Sequence, residues 1–270
     1  MTAQVGARRT VTIDADGCPL HVEVEGPETA PVLMISNSLG TDLHLWDDQI
    51  PVWSRHFRVV RYDRRGHGKS GFMLEPGRME RLGRDALAIM DALNLDKVHW
   101  CGLSMGGMVG QWLAAHAPQR IGKLILSNTS SYFPNKSFWD ERIRAVRERG
   151  LAAIADGIMK IWFTEGFMAR APDTVVRMTQ MLVATPADGY IASCEAVRDM
   201  DHRDLLPKIK APTLVIAGRH DRSTPLEAAE FMRSRVPGAA LTLLDAAHIS
   251  NVEQPAVYTA EVLGFLTQPK

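Results

Sequence analysis

Six short apolar runs, at 31–35, 57–62, 97–101, 123–127, 213–217 and 241–244, punctuate the 270-residue chain, with helix-like stretches between most of them. Runs that stay apolar, without alternating polar positions, belong to strands buried on both faces. Such strands alternating with amphipathic helices form a mostly parallel sheet flanked by helices, an α/β architecture. Ahead of them, 10–14 and 20–25 alternate in polarity around Asp14-Ala-Asp-Gly17, the pattern of a hairpin. The periodicity predicts helices over 78–94, 107–116, 225–236 and 252–267, and one capped by Asp42 that runs through Leu45, Trp46, Ile50 and Trp53. Between 132 and 204 the alternation stops, and only helical periodicity remains around Trp139, Trp162, Phe163 and Phe167. A helical stretch interrupting a sheet protein predicts an inserted cap over 132–204, with 1–131 and 205–270 as the core.

Charge and cysteine usage narrow the function classes. The 31 basic and 31 acidic residues cancel, which gives no electrostatic case for nucleic acid or an anionic membrane as partner. The basic doublet Arg64-Arg65 and the mixed stretch 142–149 are expected to be solvated surface. Three widely spaced cysteines, Cys18, Cys101 and Cys194, suit neither a disulfide framework nor a zinc knuckle and fit a cytoplasmic setting. Residues 1–9 lack the apolar segment of a signal peptide, and no run reaches the length of a membrane span. Self-association is left open.

Residues 102–106 read Gly-Leu-Ser-Met-Gly, placed between a predicted strand and a predicted helix. This is the pattern of a nucleophile elbow. The serine takes a strained backbone angle that projects its hydroxyl from the sheet, and the positions two before and two after lie too close to the turn for a side chain. A serine nucleophile needs a base within hydrogen-bond reach and a carboxylate to orient that base. In this architecture both come later in the chain, acid before histidine, in loops following strands. Asp221 after the 213–217 strand and His248 after the 241–244 strand meet that condition. The rivals are His220 as base, and Asp199, Asp201 and Asp245 as acid; of these Asp245 is the nearest, three residues from His248. An oxyanion site requires backbone N–H donors, and the candidates are Met105, after the nucleophile, and Leu39, in the loop Ser36-Asn-Ser-Leu-Gly40 after an early strand. No cluster at metal-ligand spacing accompanies these residues, so no metal or cofactor is expected.

At these residues the chain resembles the α/β-hydrolases. Tyr62-Asp-Arg-Arg-Gly-His-Gly-Lys-Ser70 is similar to that family's D-x-R-G-x-G-x-S segment, and Gly102-Leu-Ser-Met-Gly-Gly107 to its elbow. Within it, Ser36 to Trp46, Ser127-Asn-Thr-Ser130 and Trp139-Asp-Glu-Arg-Ile143 resemble the 3-oxoadipate enol-lactonases. The resemblance implies opening of a carboxylate-bearing small-molecule lactone by an acyl-serine route, within the β-ketoadipate pathway of aromatic catabolism. A carboxylate substrate calls for a cation or strong donor in the pocket. Trp139 and Arg142, three apart on a predicted helix, and Ser38 are the candidates. A general carboxylesterase, a cofactor-free perhydrolase and a slow-turnover receptor on the same fold are the alternatives.

Overall fold

The computed structural model describes residues 8–268; residues 1–7 and 269–270, parts of the N-terminal reading and of the expected core, lie outside the described residues. Eight strands form one sheet in the order β1-β2-β4-β3-β5-β6-β7-β8. The hairpin β1 (Arg9–Ala15) and β2 (Cys18–Glu25) turns at Asp16-Gly17, both at positive φ, and β2 pairs antiparallel with β4 (Arg58–Tyr62). From β4 onward every neighbour is parallel: β3 (Val32–Ser36), β5 (Val98–Leu103), β6 (Ile121–Ser127), β7 (Thr213–Gly218) and β8 (Ala240–Leu244). The apolar runs explain the arrangement. Leu33, Met34, Ile35, Trp100, Cys101, Leu124, Ile125, Val215 and Ile216 have no solvent exposure, as strands covered on both faces require.

The helices follow the predicted alternation with two local differences. The segment from Asp42 does not run as one helix. Asp42 caps a short 3₁₀ turn, Leu43–Trp46, and α1 (Ile50–Trp53) restarts with proline in its first turn. The last helix is likewise divided, into α10 (Ser250–Glu253) and α11 (Pro255–Thr267), because Pro255 disfavours helical backbone at Gln254 before it. Helices α2 (Met79–Ala92) and α3 (Met105–His116) flank the early strands, and α9 (Leu226–Arg235) follows β7.

Between β6 and β7 the chain forms α4 (Lys136–Arg149), α5 (Ala155–Trp162), α6 (Glu165–Arg170), α7 (Pro172–Val183) and α8 (Ala187–Asp199). The segment leaves and returns at one place. Tyr132 bridges Asp201, and the His202 amide donates to the Ser131 carbonyl at 2.8 Å. The Arg64-Arg65 doublet departs from expectation: both side chains are buried, not solvated. Arg65 makes a two-pronged pair with the buried Asp85 of α2 at 2.6 Å on each side. That contact ties the loop after β4 to the helix that follows it.

Candidate active site

Parallel strands all open their C-terminal ends on one edge of a sheet, and the loops there assemble the site. At the end of β5, Ser104 takes φ 55° and ψ −117°, a conformation costly for a residue with a side chain. The flanking glycines make the turn possible by contact. A Cβ on Gly102 would stand 2.1 Å from the Gly106 carbonyl oxygen, and one on Gly106 would stand 2.1 Å from the Ser36 carbonyl oxygen. The turn is held by further bonds: the Ser104 amide donates to the Ser127 carbonyl at 2.8 Å, and Thr129 Oγ1 donates to the Ser104 carbonyl at 2.7 Å.

Ser104, Asp221 and His248 are brought together. The Ser104 hydroxyl lies 2.9 Å from His248 Nε2, and His248 Nδ1 lies 2.8 Å from Asp221 Oδ2. An ionised Asp221 can only accept, so Nδ1 carries the proton and Nε2 is left to accept from the serine. Asp221 is buried and fully engaged. Ser223 N and Thr224 N donate to Oδ1 at 2.8 and 3.0 Å, while Thr224 Oγ1 and Asn128 Nδ2 donate to Oδ2 at 2.7 and 3.0 Å. Burial pushes this carboxyl up, but the interaction with His248 and the Thr224 hydrogen bonds outweigh it and hold it down at about 2. The rival groups lie elsewhere. His220 pairs with Asp245 at 2.7 Å, both exposed, and Asp199 and Asp201 pair with Arg198 and Arg203.

The oxyanion candidates sit on either side of this chain. Met105 begins α3, so its N–H has no acceptor one turn back in the helix. Across from it, the loop 36–40 is pinned to the elbow by the Gly106 amide, which donates to the Asn37 carbonyl at 3.0 Å. Asn37 is gripped again through its side chain, receiving the Trp46 indole N–H at 2.8 Å and donating to the Tyr62 carbonyl at 3.0 Å. At the far end of the loop the Gly40 amide donates to His67 Nε2 at 3.1 Å. The Leu39 N–H has no partner among the described residues.

Trp139 and Arg142 share a face of α4, as their spacing predicts. The Arg142 guanidinium stacks 5.1 Å from the Trp139 ring centroid and 4.7 Å from that of Phe138. Trp139 is buried, and its indole N–H has no partner among the described residues. Arg142 also acts on Tyr190 of α8: burial pushes that phenol well up, and the guanidinium pulls the other way. Tyr190 in turn lies against Gly40, its ring 3.0 Å from where a side chain there would begin. No hydrogen bond or ring contact among the described residues joins Trp139 or Arg142 directly to Ser104, Asp221 or His248; through Tyr190, Arg142 reaches the loop 36–40 instead. Ser38 is buried, and its carbonyl accepts from Thr41 Oγ1 at 2.9 Å.

Residues 31–255 match the family model described as the alpha/beta hydrolase fold. The chain belongs to the α/β-hydrolase family. It is 39% identical to 3-oxoadipate enol-lactonase 2 of Acinetobacter baylyi, over 93% of this chain and 94% of that protein. The enol-lactonase crystal structure from Burkholderia xenovorans superimposes with a TM-score of 0.93 at 38% identity, covering 96% of this chain and all of that one. A hydrolase structure from Pseudomonas aeruginosa does so with a TM-score of 0.93 at 44% identity, covering 97% and 99%.

Several side chains of this hydrolase that reach the site carry no signal of their own in the sequence. Asn128, at φ 43°, bonds both to Asp221 and to the Ala247 carbonyl at 3.1 Å, so it links the acid loop to the base loop. Glu253 accepts from the Ala247 amide at 2.9 Å and from the Thr164 hydroxyl, and the Ile249 amide donates to the Trp162 carbonyl at 3.0 Å. Those bonds fasten α5 and α6 to the loop that carries His248. Only the polar run Ser127-Asn-Thr-Ser130 directly after an apolar strand hints at this in advance, since it puts polar groups at the ligand edge. Asp63 has a turn-building role: it accepts from the Leu43 and Lys69 amides, each at 2.8 Å.

Proposed function

We propose that this lactone or ester hydrolase opens a carboxylate-bearing enol-lactone, 3-oxoadipate enol-lactone, through an acyl-serine. The observation that carries the reading is the buried hydrogen-bonded chain from Asp221 through His248 to Ser104 on a strained elbow. His248 Nε2 takes the hydroxyl proton as Ser104 Oγ attacks the lactone carbonyl. The Leu39 and Met105 amides receive the oxyanion. Collapse of the tetrahedral intermediate breaks the ring C–O bond, and the enol oxygen leaves with the proton that His248 carries. Enol oxygen is a better leaving group than alkoxide, so this step needs only modest acid assistance. The opened chain stays tethered to Ser104 until a water, deprotonated by His248, attacks the acyl carbon and frees the acid, whose enol becomes the ketone.

The helices of 132–204 serve in this reading as a cap, fastened to the base loop through Glu253 and Ile249. Arg142 and the Trp139 indole N–H, unpartnered among the described residues, supply the donors for the substrate carboxylate, with Ser38 as a further contact. The enzyme acts on a small molecule in the cytoplasm, in aromatic catabolism by the β-ketoadipate route. The three described cysteines, buried and unpaired, suit that setting. Among the described residues no helix is long and apolar enough to cross a membrane.

Steady-state turnover of the enol-lactone beside a neutral ester of similar size, each with Ser104→Ala as control, tests the reading. The lactone should be preferred in kcat/KM, with both activities lost in the variant. Equal rates on the two substrates would make this a general esterase. A single turnover followed by a stall would make it a receptor.

A further inference from the structure

Three arginines around the end of β4 are buried, and they differ in what they meet. Arg61 reaches Glu23 at 2.8 Å and Asp47 at 2.6 Å, and Arg65 reaches Asp85 at 2.6 Å. Arg64, only 4% exposed, has no carboxylate at ion-pair distance among the described residues, although Asp63 favours its charge from further off. Its neighbour Asp63 is committed to the Leu43 and Lys69 amides. The hydrogen bonds of Arg64 run from Nη2 alone, to the Asn37 carbonyl and to the Ser38 carbonyl at 2.6 Å, and Nη1 is buried without a partner among the described residues. A buried cation with no carboxylate in contact is costly to keep, which raises the question of what it does here. Burial lowers this guanidinium to about 10, which leaves it charged at neutral pH.

The two carbonyls it grips belong to consecutive peptide units. In a trans peptide the C=O and N–H point opposite ways. Holding the Asn37 and Ser38 oxygens toward Arg64 therefore turns the Ser38 and Leu39 N–H groups away from it, and neither has a partner among the described residues. A charge-assisted bond to each oxygen also polarises the unit and makes its N–H a stronger donor.

We propose that Arg64 is a positioning residue for the oxyanion site: its guanidinium fixes and polarises the two peptide units that carry the Ser38 and Leu39 amides, the second of which receives the oxyanion beside Met105, and its charge, met at contact by no carboxylate, is more fully balanced when negative charge develops on the substrate carbonyl oxygen. The inference rests on the serine-hydrolase reading above. It gives the buried charge a use specific to the tetrahedral intermediate, where differential stabilisation raises the rate.

The test uses Arg64→Met, which keeps length and burial but removes donors and charge, and Arg64→Gln, which keeps an N–H donor without the charge. The full-length enzyme is assayed on p-nitrophenyl acetate, with rates normalised by active-site titration. In parallel, inhibition by phenylboronic acid reports an anionic tetrahedral adduct on the serine. Removing an oxyanion donor outright costs about 10²–10³-fold in kcat. Arg64→Met should lose about 10–10²-fold in kcat with KM little changed, and lose boronate affinity by a similar factor; Arg64→Gln should fall between it and the wild type. Loss of unfolding free energy without those changes marks a merely structural arginine and overturns the inference, as does a kcat and boronate affinity within about twofold of wild type. If Arg64→Met does not fold, the same criteria applied to Arg64→Gln decide. Ser104→Ala separates the two levels: if it still turns over the ester, the serine reading itself fails, independently of Arg64.

Discussion

Gly106→Ala puts the elbow under the most direct test, because the substitution opposes two forces that can be separated. Gly106 lies in the first turn of α3 with ordinary helical backbone, so intrinsic propensity favours alanine there by about 1 kcal/mol. Contact opposes it: the new Cβ would lie 2.1 Å from the Ser36 carbonyl oxygen, 2.5 Å from its carbon and 2.9 Å from its Cβ. Carbon–oxygen contact needs more than about 3 Å, so the start of α3 or the end of β3 must move by roughly 1 Å. Overpacking of this kind costs about 1–3 kcal/mol; set against the propensity gain, and at about 2–4 °C per kcal/mol for a large domain, it should lower the melting point by up to roughly 8 °C. The same shift strains the bond from the Gly106 amide to the Asn37 carbonyl, which fixes the oxyanion loop. A misplacement of about 1 Å is worth up to about 10²-fold in rate, so turnover per titrated site should drop by one to two orders of magnitude. Gly157→Ala in α5 and Gly264→Ala in α11 are the controls, since a Cβ there would meet nothing within 4 Å. Both should leave activity unchanged and raise stability by about 0.5–1 kcal/mol. Urea unfolding and active-site-titrated kinetics on the set decide the matter. A Gly106→Ala enzyme as stable and as fast as the controls would refute the steric account of the elbow.

Asp221→Asn should lower kcat by on the order of 10³–10⁴-fold, because the amide no longer fixes the imidazole tautomer, while Asp245→Asn stays near wild type; the reverse pattern would move the acid to Asp245. Arg142→Ala should weaken turnover of the charged lactone at least about tenfold more than that of a neutral ester of equal size, and equal losses on the two would make Arg142 a packing residue only. Acid titration of stability follows from the depressed Asp221 carboxyl: its contribution is complete above the ordinary carboxylate range and is lost as pH falls from about 4 toward 2, amounting to about 2 kcal/mol. Asp63 and Asp85, pushed up by burial, run the other way, so the measurement is the difference between wild type and Asp221→Asn in urea midpoints across that window; parallel curves would refute it. Dialysis against a chelator should leave activity unchanged, since the proposed steps use only Ser104, His248, Asp221 and backbone amides; loss restored by a divalent ion would overturn the scheme.

What was legible in the sequence was whatever is encoded locally or by order along the chain. Apolar runs of strand length give the parallel sheet because burial on both faces leaves no polar alternation to hide them. The elbow is legible because its constraint is steric and short-range: Gly102 and Gly106 are within two residues of Ser104. Asp221 and His248 are legible as positions, since the ends of β7 and β8 must open on the same edge as β5. Asn128 escaped because a polar residue after a strand has many uses. Its two hydrogen bonds, from Nδ2 to Asp221 and to the Ala247 carbonyl, exist only once three loops meet. The break of the Asp42 segment escaped because helical spacing from Leu45 to Trp53 is kept by a 3₁₀ turn and a short helix as well as by one continuous helix.

Arg64 and Arg65 show the limit most clearly. Adjacent basic residues on a polar loop are solvated unless something in the fold justifies their burial, so charge alone gives the wrong expectation for this pair. The justification is different for each. Arg65 is compensated by Asp85, twenty residues on and brought back by the packing of α2. Arg64 is in contact with no carboxylate among the described residues; Asp63 acts on it only from beyond ion-pair distance, and its hydrogen bonds go to two carbonyls of the loop opposite the nucleophile. Two residues side by side in the chain, of one type and one burial, are thus separated by a single criterion: whether a carboxylate meets the charge at contact. Where one does, the arginine explains the fold. Where none does, as at Arg64, the charge lies behind the Asn37 and Ser38 peptides, whose N–H groups face away from it, so in the proposed mechanism it strengthens a donor that meets the oxyanion.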